Sequence, residues 1–302
     1  MGQISLRIWL EILALATIWG GSFLAIRIAL DEIPVMTSVA HRVLWAMVAL
    51  WITVMIRRLP LPRTPGIWAA FLVMGCLNNV VPFSLMAWGQ LHIETGLTAI
   101  LNASTAIWGV LVAAVVFPDE RLTPRRLAGV VIGFLGVATA IGLSTFQDFD
   151  ARSLAQFAVL LGTLSYAFAG SWARKTLSGV PPMVSAAGML TGSTLIMVPL
   201  AWLMDGPMTL KLQPETIGAI GYYALVSTAL AYLLYYRILD AAGAGNLLLV
   251  TLLIAPVAIV LGAFVRGEAL GLPAYAGFAL LALGLLILDG RIGHPFRKSQ
   301  PH

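Results

Sequence analysis

Apolar residues run along this chain in blocks of about twenty, parted by short polar breaks, from one end to the other. Ten such blocks are read at about 8–30, 34–56, 65–87, 95–117, 124–144, 154–175, 182–204, 215–238, 245–265 and 272–289. Each matches the roughly 20 apolar residues that span a bilayer as an α-helix. In lipid a segment must satisfy its own backbone hydrogen bonds, so helices are the expected form. The breaks carry helix-ending residues: Pro34, Arg57-Arg58-Leu59-Pro60, Pro118-Asp119-Glu120, Pro181-Pro182, Asp205-Gly206-Pro207 and Pro273. No break is long enough for a soluble domain. The first block is longer than a signal-peptide core and lacks a small-residue cleavage pattern, so it is expected to remain as a helix.

Composition agrees. Of 302 residues, 60% are hydrophobic and 10% charged, with mean hydropathy +0.93. A soluble domain is about one quarter charged, so soluble enzymes, nucleic-acid binders and secreted disulfide scaffolds are excluded. The net charge of +5 does not imply a nucleic-acid partner, because the basic residues sit in short loops. Cys76, the single cysteine, lies inside an apolar block and cannot form an intramolecular disulfide. The basic residues also orient the bundle. With a cytoplasmic N-terminus, Arg7, Arg57, Arg58, Arg63, Arg121, Arg125, Arg126, Arg174, Lys175, Arg237, Arg291, Arg297 and Lys298 fall on the inner side. Only Arg27, Arg42, Arg152, Lys211 and Arg266 fall on the outer side, and both termini are expected inside.

The chain also repeats itself. A shift of 148 pairs Glu120 with Glu268, Leu122 with Leu270, Gly129 with Gly277, Gly136 with Gly284, Leu85 with Leu233 and Leu91 with Leu239. A shift of 147 pairs Arg27 with Arg174, Pro34 with Pro181, Met36 with Met183 and Ala40 with Ala187. Residues 1–146 and 147–302 therefore form two repeats of five helices, the second with a short basic C-terminal tail. Five is odd, so the second repeat enters the membrane inverted. The expected fold is an all-α membrane protein of ten transmembrane helices in two inverted five-helix repeats. Such repeats place a binding site near the midplane and lend themselves to alternating access.

Three stretches carry a family resemblance: Trp19-Gly20-Gly21-Ser22-Phe23 followed by Arg27, Phe117-Pro118-Asp119-Glu120-Arg121-Leu122, and Val265-Arg266-Gly267-Glu268-Ala269-Leu270. With the Gly-rich helices after the last two, the chain resembles the EamA-type transporters of the drug/metabolite transporter superfamily over almost its whole length. The resemblance implies a bacterial inner-membrane exporter of amino acids and related small metabolites. It also points to a departure. Pro256 in the ninth helix is typical of the pattern, whereas its repeat partner in the fourth is Trp108; if the fourth helix lacks that kink, the two half-sites are not chemically equivalent.

Transport needs polar groups at depth. Counted at about 1.5 Å per residue, the midplane falls on Trp19 in helix one, Asn78 and Asn79 in helix three, Asn102 to Trp108 in helix four, Tyr166 in helix six and Ser227 in helix eight. Trp19 pairs with Tyr166, and Asn79 with Ser227, by the repeat. Thr98, Asn102, Thr105 and Gly109 share one face of helix four, and Tyr223, Ser227 and Leu230 one face of helix eight. Trp19, Asn78, Asn79, Asn102, Thr105, Trp108, Tyr166, Tyr223 and Ser227 are thus the candidate substrate contacts, with Thr98 and Asn246 as a secondary polar pair. Each Asn could instead be glue between helices; a group at one depth on repeat-related helices favours a cavity. Tyr232, Tyr235 and Tyr236, nearer the inner boundary, read as interfacial aromatics.

No Asp, Glu, Lys or Arg is expected near the centre of any helix. His41 and Arg42, two turns into helix two, are expected to pair with Asp31 or Glu32. Glu120 and Glu268 are expected to cap or to form salt bridges. Gly129, Gly133 and Gly136 in helix five, and Gly277 and Gly284 in helix ten, allow close helix approach, most often within one chain and otherwise across a dimer face. The expected function is export through a neutral polar-aromatic cavity by facilitated diffusion or exchange, with no cofactor or metal. The expected partners are small-molecule substrate and membrane lipid, and the expected state is a monomer or weak homodimer. The alternatives are a proton-coupled drug or cation exporter using Glu11, an intramembrane enzyme, and a channel. Glu11 lies only about a turn inside the boundary, no HExxH or GxSxG pattern is present, and a channel would want a filter or charged ring.

Overall fold

A computed structural model describes residues 5–142, 150–242 and 244–290, apart from the side chains of 240 and 242–249. Arg291, Arg297, Lys298, the side chain of Asn246 and the junction between the two repeats fall outside the described residues. The ten spans are α1 (Leu6–Ala29), α2 (Val35–Ile56), α3 (Pro65–Gly89), α4 (Thr95–Val116), α5 (Pro124–Ile141), α6 (Ala151–Thr176), α7 (Pro182–Asp205), α8 (Pro214–Leu239), α9 (Ala244–Arg266) and α10 (Leu272–Asp289). Their ends lie within one helical turn of those expected. The side of the bundle on which α1 begins is called the near side below, and the opposite side the far side.

The packing follows the repeat. α2 packs on α7 and α5 on α10, each pair being repeat partners. The α1–α9 contact is matched by α6–α4, α1–α8 by α6–α3, and α3–α7 by α8–α2. α5 and α10 touch backbone to backbone: a Cβ on Gly136 would stand 2.4 Å from Leu281 N, and one on Gly284 2.6 Å from Gly133 N. Without a hydrophobic drive between helices in lipid, this close approach is what binds them. Two hydrophobic clusters result. One draws mainly on α1, α4, α5, α9 and α10, with Ala155 and Val159 of α6, the other mainly on α2, α3, α7 and α8, with the far-side end of α1, and Tyr166 packs against both.

Three spans are irregular at depth. α3 widens into a π-helix at Cys76–Val80, and α8 does so at Tyr222–Leu230, the same place in its repeat. π-turns free backbone carbonyls from their usual partners and cluster at functional sites. Here the Trp19 Nε1–H of α1 donates to the Ser227 carbonyl at 3.0 Å, and Ser165 Oγ of α6 donates to the Leu77 carbonyl at 2.7 Å. The third irregularity falls where no proline marks it. α4 breaks between Thr95–Asn102 and Thr105–Val116, whereas α9 stays helical through Pro256. Ala103 and Ser104 bond three residues back, to Ile100 and Leu101. Ser104 Oγ and Thr163 Oγ1, 3.0 Å apart, hold the break to α6, and Thr105 Oγ1 donates to the Asn102 carbonyl.

Charged residues tie the span ends together. Glu268 caps α4 through the Thr95 N–H and hydroxyl at 2.9 and 2.7 Å, and Asp205 caps α2 through Thr37 in the same way. Glu120 pairs with Arg126 and Arg174. Both glutamates thus have the capping and ion-pair roles expected of them. On the far side Asp31 accepts from Arg27 at 2.6 Å and Arg266 at 2.5 Å. Burial pushes the Asp31 carboxyl up, but the Arg266 hydrogen bond and the charge of Arg27 outweigh it, and the net shift is downward. A carboxyl depressed in the folded state stabilises the fold above its unfolded pKa and stops doing so as pH falls through the folded value. Asp31→Asn should therefore unfold at lower temperature than the parent at pH 7, with the gap closing below about pH 4. A gap that persists unchanged to pH 3 would mean that the charge contributes nothing.

Candidate functional site

A cavity of about 560 Å³ lies at the centre of the bundle, lined by residues of both repeats. α1 supplies Trp19, Ser22, Phe23 and Ile26, and α6 supplies Tyr166. The irregular stretches of α3, α4 and α8 supply Asn78, Asn102, Thr105 and Ser227. These are the places where the backbone leaves regular α-geometry, and such backbone is tolerated at membrane depth where it lines a cavity.

Six of the expected contacts therefore line one space: Trp19, Asn78, Asn102, Thr105, Tyr166 and Ser227. The other three with described side chains do not. Asn79 is fully buried and donates through Nδ2 to Ser193 Oγ of α7 at 2.8 Å. Trp108 turns to α5, its ring edge-on to Phe134 with centroids 4.8 Å apart. Tyr223 is buried between α8 and α2, where its hydroxyl meets Ser38 at 3.2 Å. Thr98 is buried too and donates to the Glu94 carbonyl of its own helix. Successive helical residues point about 100° apart, so Asn78 faces the cavity while its neighbour faces a helix.

Two expectations are overturned. Tyr232, Tyr235 and Tyr236 are not interfacial; all three line the cavity. Tyr232 accepts from Asn78 Nδ2 at 3.3 Å, and Tyr235 packs 5.9 Å from Trp19. Nor is the cavity free of fixed charge. Arg42 of α2 lines it, with its guanidinium 3.8 Å above the Phe83 ring and its Nε–H donating to Thr228 Oγ1 at 3.1 Å. The expected carboxylate partners are engaged elsewhere: Asp31 by Arg27 and Arg266, and Glu32 by the Gln213 N–H at 3.0 Å. His41 is buried outside the cavity lining, and its Nδ1 accepts from Trp45 Nε1.

A larger open groove of about 980 Å³ lies on the far side between α1, α8 and α9, along Leu24, Ile28, Tyr222 and Leu261. Of its charged residues Asp31, Glu32, Glu215 and Arg266, Asp31 and Arg266 pair with each other and Glu32 accepts from the Gln213 N–H. The groove draws on α1, α8, α9 and their ends alone, whereas the central cavity gathers polar groups from both repeats and is the better candidate site.

Residues 7–142 and 153–288 each match the EamA-like transporter family. The chain belongs to that family. It is accordingly a multi-pass membrane transporter, and three relatives match it over nearly their whole length. Protein PagO of Salmonella typhimurium is 24% identical over 95% of this chain and 93% of its own. An uncharacterized transporter of Archaeoglobus fulgidus is 23% identical, covering 93% and 98%. A protein of Streptantibioticus cattleyicolor named a probable terminal-alkyne amino-acid exporter is 25% identical, covering 99% of each chain. A solved crystal structure, 17% identical, superposes with a TM-score of 0.67 over 96% of this chain and 99% of that one; the fold is shared.

Proposed function

We propose that this EamA-like transporter exports neutral amino acids and related small metabolites across the bacterial inner membrane, by alternating access of the central cavity. The observation that carries the reading is the lining itself. Amide, hydroxyl and aromatic groups from both inverted repeats converge on a space within the size range of small-molecule sites. The aromatic walls offer apolar contact to a side chain, while Asn78, Asn102 and Thr105 offer hydrogen bonds to polar ends. The likeness to the Streptantibioticus cattleyicolor exporter supports the substrate class. The excess of basic residues on the near side supports cytoplasmic termini.

Facilitated or exchange transport is the favoured mode. Among the described residues no Asp or Glu lines the cavity. Glu11, the residue a proton-coupled drug exporter would use, is held by Arg7 and Arg237 at the near-side end. In proteoliposomes, uptake of labelled amino acids should saturate and should accelerate when unlabelled amino acid is loaded inside. An imposed pH gradient should leave the rate unchanged. Linear flux would overturn the carrier reading, and strong acceleration by the gradient, lost in Glu11→Gln, would favour the proton-coupled one.

A further inference from the structure

Arg42 is a cation without a counter-ion among the described residues: no carboxylate pairs with it, and no acid lines the cavity that it faces. A guanidinium carries five N–H donors. Here Nε–H is used on Thr228 and the flat face rests on Phe83, which leaves the four N–H groups of the terminal nitrogens without an acceptor among the described residues. A charge inside a membrane protein is costly unless it finds a partner or water. Its free edge is the fork that matches a carboxylate in two parallel bonds.

A complementary group lines the same cavity. Gln90, at the far-side end of α3, is 1% exposed. Its Nε2 donates to the Phe23 carbonyl at 2.8 Å, which fixes the amide orientation because a carbonyl can only accept. Oε1 is thereby left as a buried acceptor with no partner among the described residues. Phe83, Met86 and Gln90 succeed one another along one face of α3 at spacings of three and four, and all three line the cavity. Arg42, stacked on Phe83, and Gln90, whose unpartnered Oε1 lies buried in the same wall, are thus a donor and an acceptor along one side of the cavity.

We propose that Arg42 anchors the carboxylate of the transported molecule and Gln90 Oε1 accepts from its ammonium group, so that the cavity selects zwitterionic α-amino acids by both ends. This pairing rests on the substrate class proposed above and sharpens it. A site with a fixed cation reads the acid end, so selectivity resides in the backbone of the amino acid, while the Trp19, Tyr232 and Tyr235 walls leave the side chain loosely specified.

Three probes separate the poles: L-phenylalanine, 3-phenylpropionate (no ammonium) and L-phenylalaninamide (no carboxylate). Thermal stabilisation of the detergent-solubilised chain measures binding independently of transport. L-phenylalanine should stabilise wild type most, 3-phenylpropionate less and the amide least. Arg42→Gln should weaken binding of both acids about ten-fold or more while leaving the amide unchanged, and Arg42→Lys should recover part of the loss, since it keeps the charge without the fork. Gln90→Leu should weaken L-phenylalanine binding several-fold and leave 3-phenylpropionate alone. In proteoliposomes Arg42→Gln should raise the KM for L-phenylalanine by the same factor. Equal binding of acid and amide by wild type, or an Arg42→Gln protein that still prefers the acid, would overturn the carboxylate anchor. A Gln90→Leu effect equal on both acids would overturn the acceptor pole. If wild type binds the acids in this pattern yet transports no amino acid, the proposed function fails and the anchor stands. Saturable uptake with an unchanged KM in Arg42→Gln would leave the function standing and overturn the anchor.

Discussion

Gly284→Leu should leave almost no folded protein in the membrane. A Cβ at this position would stand 2.6 Å from Gly133 N and 2.7 Å from the Gly129 carbonyl, and at Gly136 2.4 Å from Leu281 N and 2.7 Å from the Gly277 carbonyl. These are backbone atoms of the facing helix and cannot turn aside as a side chain can. α10 would have to lift off α5 along their whole contact. Overpacking of this kind costs about 1–3 kcal/mol for one or two added carbons and more for a leucine. A single methyl group isolates the effect. Gly284→Ala should lower the unfolding temperature in detergent, while Gly109→Ala, where nothing lies within 4 Å of the new Cβ, should raise it slightly. Alanine is up to about 1 kcal/mol better than glycine inside a helix, so the two identical substitutions should have opposite signs. Equal shifts at both positions would mean that α5 and α10 are not in backbone contact.

Tyr166→Ala should cut transport by ten-fold or more with membrane insertion intact, whereas Asn79→Ala and Trp108→Ala should act on stability alone. Tyr166 lines the cavity and packs against both hydrophobic clusters. Its removal takes away one aromatic wall and part of the seam about which the repeats must rearrange. A ten-fold loss corresponds to about 1.4 kcal/mol, modest for an aromatic contact with substrate. Asn79 gives up one interhelical hydrogen bond to Ser193, worth about 1 kcal/mol in a membrane protein. Trp108 gives up its packing on Phe134. Initial uptake rates normalised to folded protein, beside unfolding temperatures, separate the two outcomes. Wild-type rates in Tyr166→Ala would mean that the cavity is not the transport path.

The contrast between Asn78 and Asn79 marks how far the sequence reaches into the site. Depth is legible, because helical rise converts position in a span directly into height. Trp19, Asn78, Asn102, Thr105, Tyr166 and Ser227 therefore come together at the level expected of them. Rotation is not legible. In a soluble protein the apolar stripe of a helix points to the core; in lipid both faces are apolar, and the stripe disappears. Asn79, Trp108 and Tyr223 stand at the right height and face other helices. Depth alone assigns Arg42, Tyr232, Tyr235 and Tyr236 to the boundary, yet their long side chains reach the central cavity.

The length and apolarity of ten segments, together with a bilayer that leaves every backbone group to its own segment, determined the all-helical architecture. The 147–148-residue repeat, with an odd number of helices in each half, determined that the halves are inverted. Tertiary structure alone decided the rest: the π-turns of α3 and α8, the break in α4 where no proline stands, and a guanidinium facing the cavity without a counter-charge among the described residues. Such features depend on which side chain a neighbouring helix offers at a given height. That is settled by packing between spans and leaves no period in the sequence of any one of them.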